Sequence, residues 1–133
     1  MAPPDAQAVS RSIALALDAA KRSRRPMTIV ALAISAGADA VALDHVATLV
    51  RHTVRDTDGL WRDGPQGLVL VLADVDGPKS EPALARLRLR LRREGLGEVL
   101  MGRAAPPAGI SADDLLDLVR AELRPVSFNR RPG

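Results

Sequence analysis

The sequence predicts a small α/β sandwich in which helices pack on a strand-rich core. Apolar residues recur at helical spacing in residues 6–24 and again in residues 39–54. Residues 27–34 form a continuous apolar run with β-branched members, which is typical of a central strand buried on both faces. The chain has 133 residues and is 47% hydrophobic, enough for one domain with one core.

The first helix is expected to start after Asp5, since a short acidic side chain is a favourable N-cap. Its last turn carries the basic residues 21–25, where the helix dipole favours cations. Pro26 ends the helix because it has no N–H to donate. The apolar strand follows, and Gly37 separates it from the second helix.

A β-hairpin is predicted after the second helix. Residues 60–62 form its first strand, the sequence Asp-Gly-Pro-Gln-Gly at 63–67 forms the turn, and the apolar residues 68–72 form a buried return strand. Turns are expected on both sides of this hairpin, at residues 55–59 and 76–78.

Residues 81–94 fit two interpretations. Arginine and leucine alternate from 86 to 93, which is the period of a strand. A helix fits better, because Ser80 can cap it, Pro82 suits its first turn and Gly95 suits its C-terminal end. The helix would place three leucines on one face: Leu84, Leu87 and Leu91.

The remaining elements are a short strand at 98–101 and a last helix that Ser111 caps. The element order is then helix, strand, helix, hairpin, helix, strand, helix. We divide the chain into a flexible N-terminus and helix start (1–9), one domain (10–124) and a basic C-terminal tail (125–133).

Several short motifs then occur in the order and spacing of one known family. Arg55 and Asp58 form an Arg-x-x-Asp pair after the second helix, and Arg62 stands two residues before the hairpin turn. The turn region reads Gly64, Pro65, Gln66, Gly67, Leu68. Residues 99–106 and 111–116 complete the set. Together they resemble the GGDEF domain of diguanylate cyclases over about residues 10–124.

The resemblance implies a palm-like α/β (α+β) fold with a central, mostly antiparallel sheet flanked by helices. It also implies where catalytic groups should stand. Cyclases of this family use Mg²⁺, which prefers carboxylate oxygens. Here residues 31–35 at the strand end hold no carboxylate, and Gln66 and Gly67 replace the acidic pair of the hairpin. The sequence therefore predicts a degenerate domain that is not an enzyme, with no catalytic residue, no metal and no cofactor.

The sequence is compatible with three functions. The main hypothesis is a bacterial signalling module that binds another, unidentified signalling protein, and the resemblance also allows a homodimer. The second is a cyclic di-GMP receptor, because in the family the Arg-x-x-Asp signature binds this product; Arg55, Asp58 and Arg62 would hold it. The third is a residual nucleotide enzyme or nucleic-acid binding through the Arg-rich helix, and the near absence of aromatic residues argues against a stacking surface for single-stranded nucleic acid.

Composition excludes several other classes of protein. There is no cysteine, so disulfides and thiolate zinc sites are excluded. No apolar run approaches the roughly 20 residues that cross a bilayer, and the N-terminus lacks a signal-peptide pattern, so a cytoplasmic protein without membrane contact is expected. His45 and His52 lack a third ligand, and the aspartates around the hairpin are interpreted as turn residues.

Overall fold

The computed structural model describes residues 4–35, 40–54, 59–96 and 98–126, with side chains described from residue 8 in the first segment and from residue 41 in the second. In chain order the elements are α1 (Pro4–Ser23), β1 (Met27–Ala33), α2 (Ala40–Thr53), β2 (Gly59–Arg62), β3 (Gly67–Ala73), α3 (Gly77–Arg93), β4 (Leu100–Ala104), α4 (Ala112–Arg120) and β5 (Arg124–Pro125). Among these helices, none combines the length and hydropathy that crossing a bilayer requires.

The five strands form one sheet in the order β2-β3-β1-β4-β5. Every neighbouring pair is antiparallel. Strand β1 lies at the centre, where Ile29 is paired with Val71 of β3 on one side and with Ala104 of β4 on the other. The prediction of a buried central strand in an antiparallel sheet is therefore confirmed.

Two layers of helices cover the sheet, and the alternation of β1 divides the core between them. Val30 and Leu32 point to a cluster that includes the inner residues of α2 and α3. Ile29 and Ala31 point to a second cluster with the inner residues of α1 and α4. Successive side chains of a strand point to opposite faces, so a continuous apolar run supplies both cores. The predicted sandwich is confirmed.

Helix α3 is a helix as predicted, but it begins earlier than expected. Asp76 is its N-cap, and the carboxylate accepts a hydrogen bond of 2.9 Å from the backbone N–H of Lys79. Ser80, the predicted cap, instead lies buried in the first turn and donates its hydroxyl to the Gly77 carbonyl at 2.5 Å. The cap prediction was wrong because Asp76, assigned to a turn, is itself a favourable N-cap residue.

The C-terminal part of the sheet differs from the prediction. Strand β4 occupies Leu100–Ala104 rather than residues 98–101. Strand β5 was not predicted; Arg124 and Pro125 pair with Met101 and Leu100. The next residue, Val126, is buried and donates its N–H to the Val99 carbonyl at 2.9 Å. Two residues, one of them a proline, are too short to show a strand period.

Gly102 of β4 allows the chain after α4 to cross the sheet closely. A Cβ atom at this position would lie 2.6 Å from the carbonyl carbon and 2.7 Å from the carbonyl oxygen of Glu122. Real Cβ atoms do not approach backbone atoms so closely, so residue 102 has to be glycine for this packing.

Candidate functional site

The hairpin turn lies against the end of the central strand. Residues 63–66 form the turn, and Gly67 and Leu68 already belong to β3. The Ile34 N–H donates to the Gln66 carbonyl at 2.8 Å, which joins the turn to the segment that follows β1. A Cβ on Gly67 would lie 2.6 Å from the Asp63 carbonyl oxygen, so glycine is required there. The hairpin is confirmed in place, and the roles of its residues stay predictions.

An ion pair connects this turn to α4. Arg120 donates to both carboxylate oxygens of Asp63, at 3.0 Å from Nε and 2.6 Å from the terminal nitrogen. The Asp63 side chain is only 14% exposed, whereas that of Arg120 is 41% exposed. The hydrogen bond to Asp63 raises the pKa of the Arg120 guanidinium, and partial burial opposes this effect. The negative charges of Asp117 and Asp113 also raise the pKa of Arg120, by smaller amounts.

No local sequence pattern predicts this pair, which we call the Asp63–Arg120 clamp. Asp63 was interpreted as a turn residue, and Arg120 had no assigned role. The two residues are 57 positions apart, so no local spacing joins them. Only the packing of α4 beside the hairpin brings them together.

The described residues around the hairpin turn do not fit a magnesium ion. Asp63 is the acidic residue of the turn, and Arg120 occupies both of its oxygens. Gln66 is neutral, and Ser35 ends the segment described after β1. Asp39 lies outside the described residues. Among the residues the structure describes, no group of three or more His, Cys, Asp or Glu side chains is placed to hold a metal.

The three residues predicted to bind cyclic di-GMP are only partly covered. Arg55 and Asp58 lie outside the described residues. Arg62 is described, is 45% exposed and donates to the carboxylate of Asp44 on α2. Beside it lies a cleft of about 290 Å³. The lining residues are Asp44, Ala47, Thr48, Arg51, Leu60, Trp61, Arg62 and Leu68.

The arginines of α3 do not line this cleft. Arg88 and Arg103 share the carboxylate of Glu81 instead, and Arg103 is 2.7 Å from one of its oxygens. Arg103 also donates to the Gly77 carbonyl at 3.2 Å and to the Ser80 hydroxyl at 3.1 Å. This network lines a larger cleft of about 750 Å³ between α3, β4 and β5. Because acceptors within the protein already satisfy these guanidinium groups, we interpret the network as structural.

The described aspartates near the hairpin have structural partners. Asp74 forms an ion pair of 3.2 Å with Arg25, and Asp76 caps α3. Asp74 lies in a turn as interpreted, whereas the interpretation of Asp76 as a turn residue was wrong, since Asp76 is the N-cap of α3. His45 is partly exposed, 4.0 Å from a carboxylate oxygen of Glu94 across the α2–α3 contact. His52 is exposed on the last turn of α2.

Comparison with solved structures decides the fold. No protein family and no curated protein matches this chain by sequence. The active GGEEF domain of a diguanylate cyclase from Vibrio cholerae superimposes on it with a TM-score of 0.73. The match covers 88% of this chain and 86% of that one at 17% sequence identity. The chain has the GGDEF-domain fold.

Other GGDEF structures match equally well. The GGDEF domain of DgcB from Caulobacter crescentus, in complex with c-di-GMP, has a TM-score of 0.72 and 16% identity, covering 87% of this chain and 80% of that one. The diguanylate cyclase SiaD from Pseudomonas aeruginosa, in complex with its activator SiaC, has a TM-score of 0.74 and 16% identity. That match covers 90% of this chain and 53% of the SiaD chain. The predicted resemblance is confirmed at the level of the fold.

The prediction that this chain is not an enzyme is contradicted by these comparisons. The same GGDEF fold is found in an active diguanylate cyclase domain. The prediction rested on two hairpin positions, Gln66 and Gly67, and on the strand end. Neutral residues at those positions do not establish inactivity, and the degeneracy inferred from them is not shown.

Proposed function

We propose that this chain is a GGDEF-like signalling module of the bacterial cytoplasm that acts by binding another protein through helix α3. One observation carries the proposal. Arg86, Arg90 and Arg93 are exposed, and none of them forms an ion pair or a side-chain hydrogen bond in the described part of the chain. Unpaired arginines on one helix face are suited to carboxylates of a partner. The complex of SiaD with its activator supports a protein partner for this fold.

The test is capture of partners by the full chain carrying three charge reversals on α3. We expect Arg86→Glu, Arg90→Glu and Arg93→Glu together to remove the captured protein, because like charges repel. The matched control reverses three exposed cations of α1, Arg11, Lys21 and Arg22. The control should capture the same protein as the unchanged chain. Equal capture by both variants contradicts a binding role for α3.

A second candidate function is cyclic di-GMP binding by Arg55, Asp58 and Arg62. The cleft beside Arg62 supports it, since Arg51 also lines that cleft. An arginine fork suits phosphate oxygens. This ligand would be bound as a signal rather than used as a cofactor.

Calorimetry with purified chain and cyclic di-GMP tests the second candidate. We expect Arg55→Ala and Arg62→Ala to weaken binding at least about tenfold each, which corresponds to about 1.4 kcal/mol. Arg11→Ala, at an exposed position of α1, is the control. Absence of heat at high micromolar ligand contradicts the candidate. Incubating the same protein with GTP and Mg²⁺, and measuring cyclic di-GMP by chromatography, decides whether the domain is also a cyclase.

A further inference from the structure

Helix α3 presents a basic outer surface with an apolar residue within it. Arg86, Arg90 and Arg93 follow the spacing i, i+4, i+7, and Leu89 lies between them with 40% of its surface exposed. The acidic residue of the first turns, Glu81, is already engaged by Arg88 and Arg103. We call Arg86, Leu89, Arg90 and Arg93 the α3 arginine face.

Helix α4 presents the opposite charge on its outer surface. Asp113, Asp114 and Asp117 are exposed there, and Leu118 beside them is 37% exposed. We call these four residues the α4 aspartate face. Asp113 also accepts a hydrogen bond of 2.6 Å from the Ser10 hydroxyl of α1, so Asp114 and Asp117 are the aspartates most available to a partner. The nearby cation, Arg120, is 3.5 Å from Asp117 but donates both of its carboxylate hydrogen bonds to Asp63. One arginine shared with Asp63 leaves the α4 aspartate face with a net negative charge.

The two faces are on opposite sides of the same domain. The inner residues of α3 belong to one core cluster and those of α4 to the other, so the sheet separates the helices. The two surfaces therefore cannot meet within one copy. Each has exposed charges at helical spacing and one exposed leucine, so each is the complement of the other.

We propose that the α3 arginine face of one copy binds the α4 aspartate face of a second copy. This inference rests on the proposed function, since it identifies a partner for α3. Three arginines meet three aspartates, and Leu89 and Leu118 supply apolar contact among them. The contact joins different surfaces of two identical chains, so it is head to tail and leaves one free face at each end.

A protein surface suits the α3 arginine face better than a nucleic acid does. Leu89 lies among the arginines, where an extended polyanion would gain nothing from it. The face holds no aromatic side chain on which bases stack. The α4 aspartate face of this same chain is complementary in charge to the α3 arginine face. A second copy is therefore the protein partner that the charges favour.

Sedimentation velocity of the full chain over rising concentration gives the first readout. We expect the average mass to rise with concentration at low salt. At about 1 M salt, where screening acts within about 3 Å, we expect the monomer alone. A single sedimenting species of monomer mass at every concentration in low salt overturns the proposal.

Charge reversal with rescue gives the decisive readout. One variant carries Arg86→Glu, Arg90→Glu and Arg93→Glu, and the other carries Asp114→Lys and Asp117→Lys. Each variant alone should self-associate at least about tenfold more weakly than the unchanged chain. An equimolar mixture should associate again, because the acidic α3 of one variant meets the basic α4 of the other.

Rescue separates the proposal from simple misfolding, since two misfolded variants do not restore each other. The α1 variant described above, with Arg11, Lys21 and Arg22 reversed, should associate like the unchanged chain. Failure of the mixture to associate overturns the head-to-tail contact. The self-contact is wrong if the unchanged chain stays monomeric and the α3 reversal abolishes its binding of a captured protein or of a 20-nucleotide RNA. A captured protein would then leave the proposed function standing.

Discussion

Helices α3 and α4 both have apolar inner faces, but their outer faces carry charges of mainly opposite sign. Both begin at a side-chain cap, Asp76 for α3 and Ser111 for α4. Both bury apolar residues on one stripe: Leu84, Leu87 and Leu91 in α3, and Leu115, Leu116 and Val119 in α4. The exposed charged residues are mainly arginines in α3, whereas α4 exposes three aspartates and Arg120.

The difference shows that the two faces of a helix answer to different requirements. Inner positions have to fill a close-packed core, so they accept only apolar side chains of suitable volume. Outer positions are constrained little by the fold, so their charge is free to differ between helices. The exposed arginines and aspartates therefore indicate what kind of partner each helix binds, and the buried leucines indicate how each helix packs.

The largest effect is expected in the core. Leu87→Ala in α3 and Leu115→Ala in α4 should each lower the free energy of unfolding by about 2–5 kcal/mol, because both side chains are fully buried and alanine leaves a cavity. Urea denaturation measures this. Leu89→Ala and Leu118→Ala, at exposed positions of the same helices, are matched controls and should cost less than about 1 kcal/mol. Equal losses at inner and outer positions would contradict this difference between the two faces.

The Asp63–Arg120 clamp should contribute less than a core leucine. Asp63→Asn or Arg120→Gln should lower the free energy of unfolding by about 1–2 kcal/mol, since a bidentate charged hydrogen bond is lost from a partly exposed site. The double variant should cost little more than either single one, because both changes remove the same interaction. Strictly additive losses would show that the two side chains stabilise the fold independently.

The pH dependence of the stabilisation that Arg120 provides follows from its raised pKa. A cation whose pKa is higher in the folded state stabilises fully below its unfolded pKa and loses this effect only as pH rises through the folded value. For an arginine this loss lies beyond the ordinary alkaline range. The difference in unfolding free energy between the unchanged chain and Arg120→Gln should therefore be constant from about pH 6 to about pH 9. A slope in that window would assign the effect to another group.

The two N-caps offer the closest comparison of α3 with α4. Asp76→Ala and Ser111→Ala should each lower the free energy of unfolding by about 1 kcal/mol, since each removes the acceptor of a backbone N–H. Asp76→Asn and Ser111→Asp keep an acceptor, and thermal melts should show smaller losses. If alanine at either position costs nothing, the corresponding helix does not depend on its cap.

The smallest effect is expected at the Arg25–Asp74 pair. Both side chains are well exposed, and the ion pair of 3.2 Å is screened by water. Arg25→Gln should change the free energy of unfolding by less than about 0.5 kcal/mol. A loss in the free energy of unfolding above about 1 kcal/mol would mean that the Arg25 side chain also packs against adjacent residues of this protein.

Local patterns predicted most of the fold. The apolar run of β1 and the helical spacing of Leu84, Leu87 and Leu91 each reflect a short-range requirement for burial, so they are readable from neighbouring residues. The hairpin turn followed from its glycines and proline. The choice of Asp76 over Ser80 as the cap of α3 was not predictable, because both types of residue cap helices and only packing buries Ser80.

The candidate site was less predictable because its contacts join distant segments. Arg62 lies on β2 beside the hairpin turn, and its partner Asp44 lies on α2. The Asp63–Arg120 clamp has no local signal for the same reason. The prediction about catalysis failed differently: it inferred inactivity from missing motif residues, whereas the fold is shared with an active domain.

The backbone at Gly102 has a consequence for how the C-terminal strand is held. The segment after α4 rests against a bare α-carbon, and the two short strands β4 and β5 pair immediately beside it. Even a methyl group there would push the crossing segment outward and separate Arg124 from its pairing position. The pairing of β5 thus depends on the absence of a side chain at residue 102, and Gly102→Ala would separate β5 from β4.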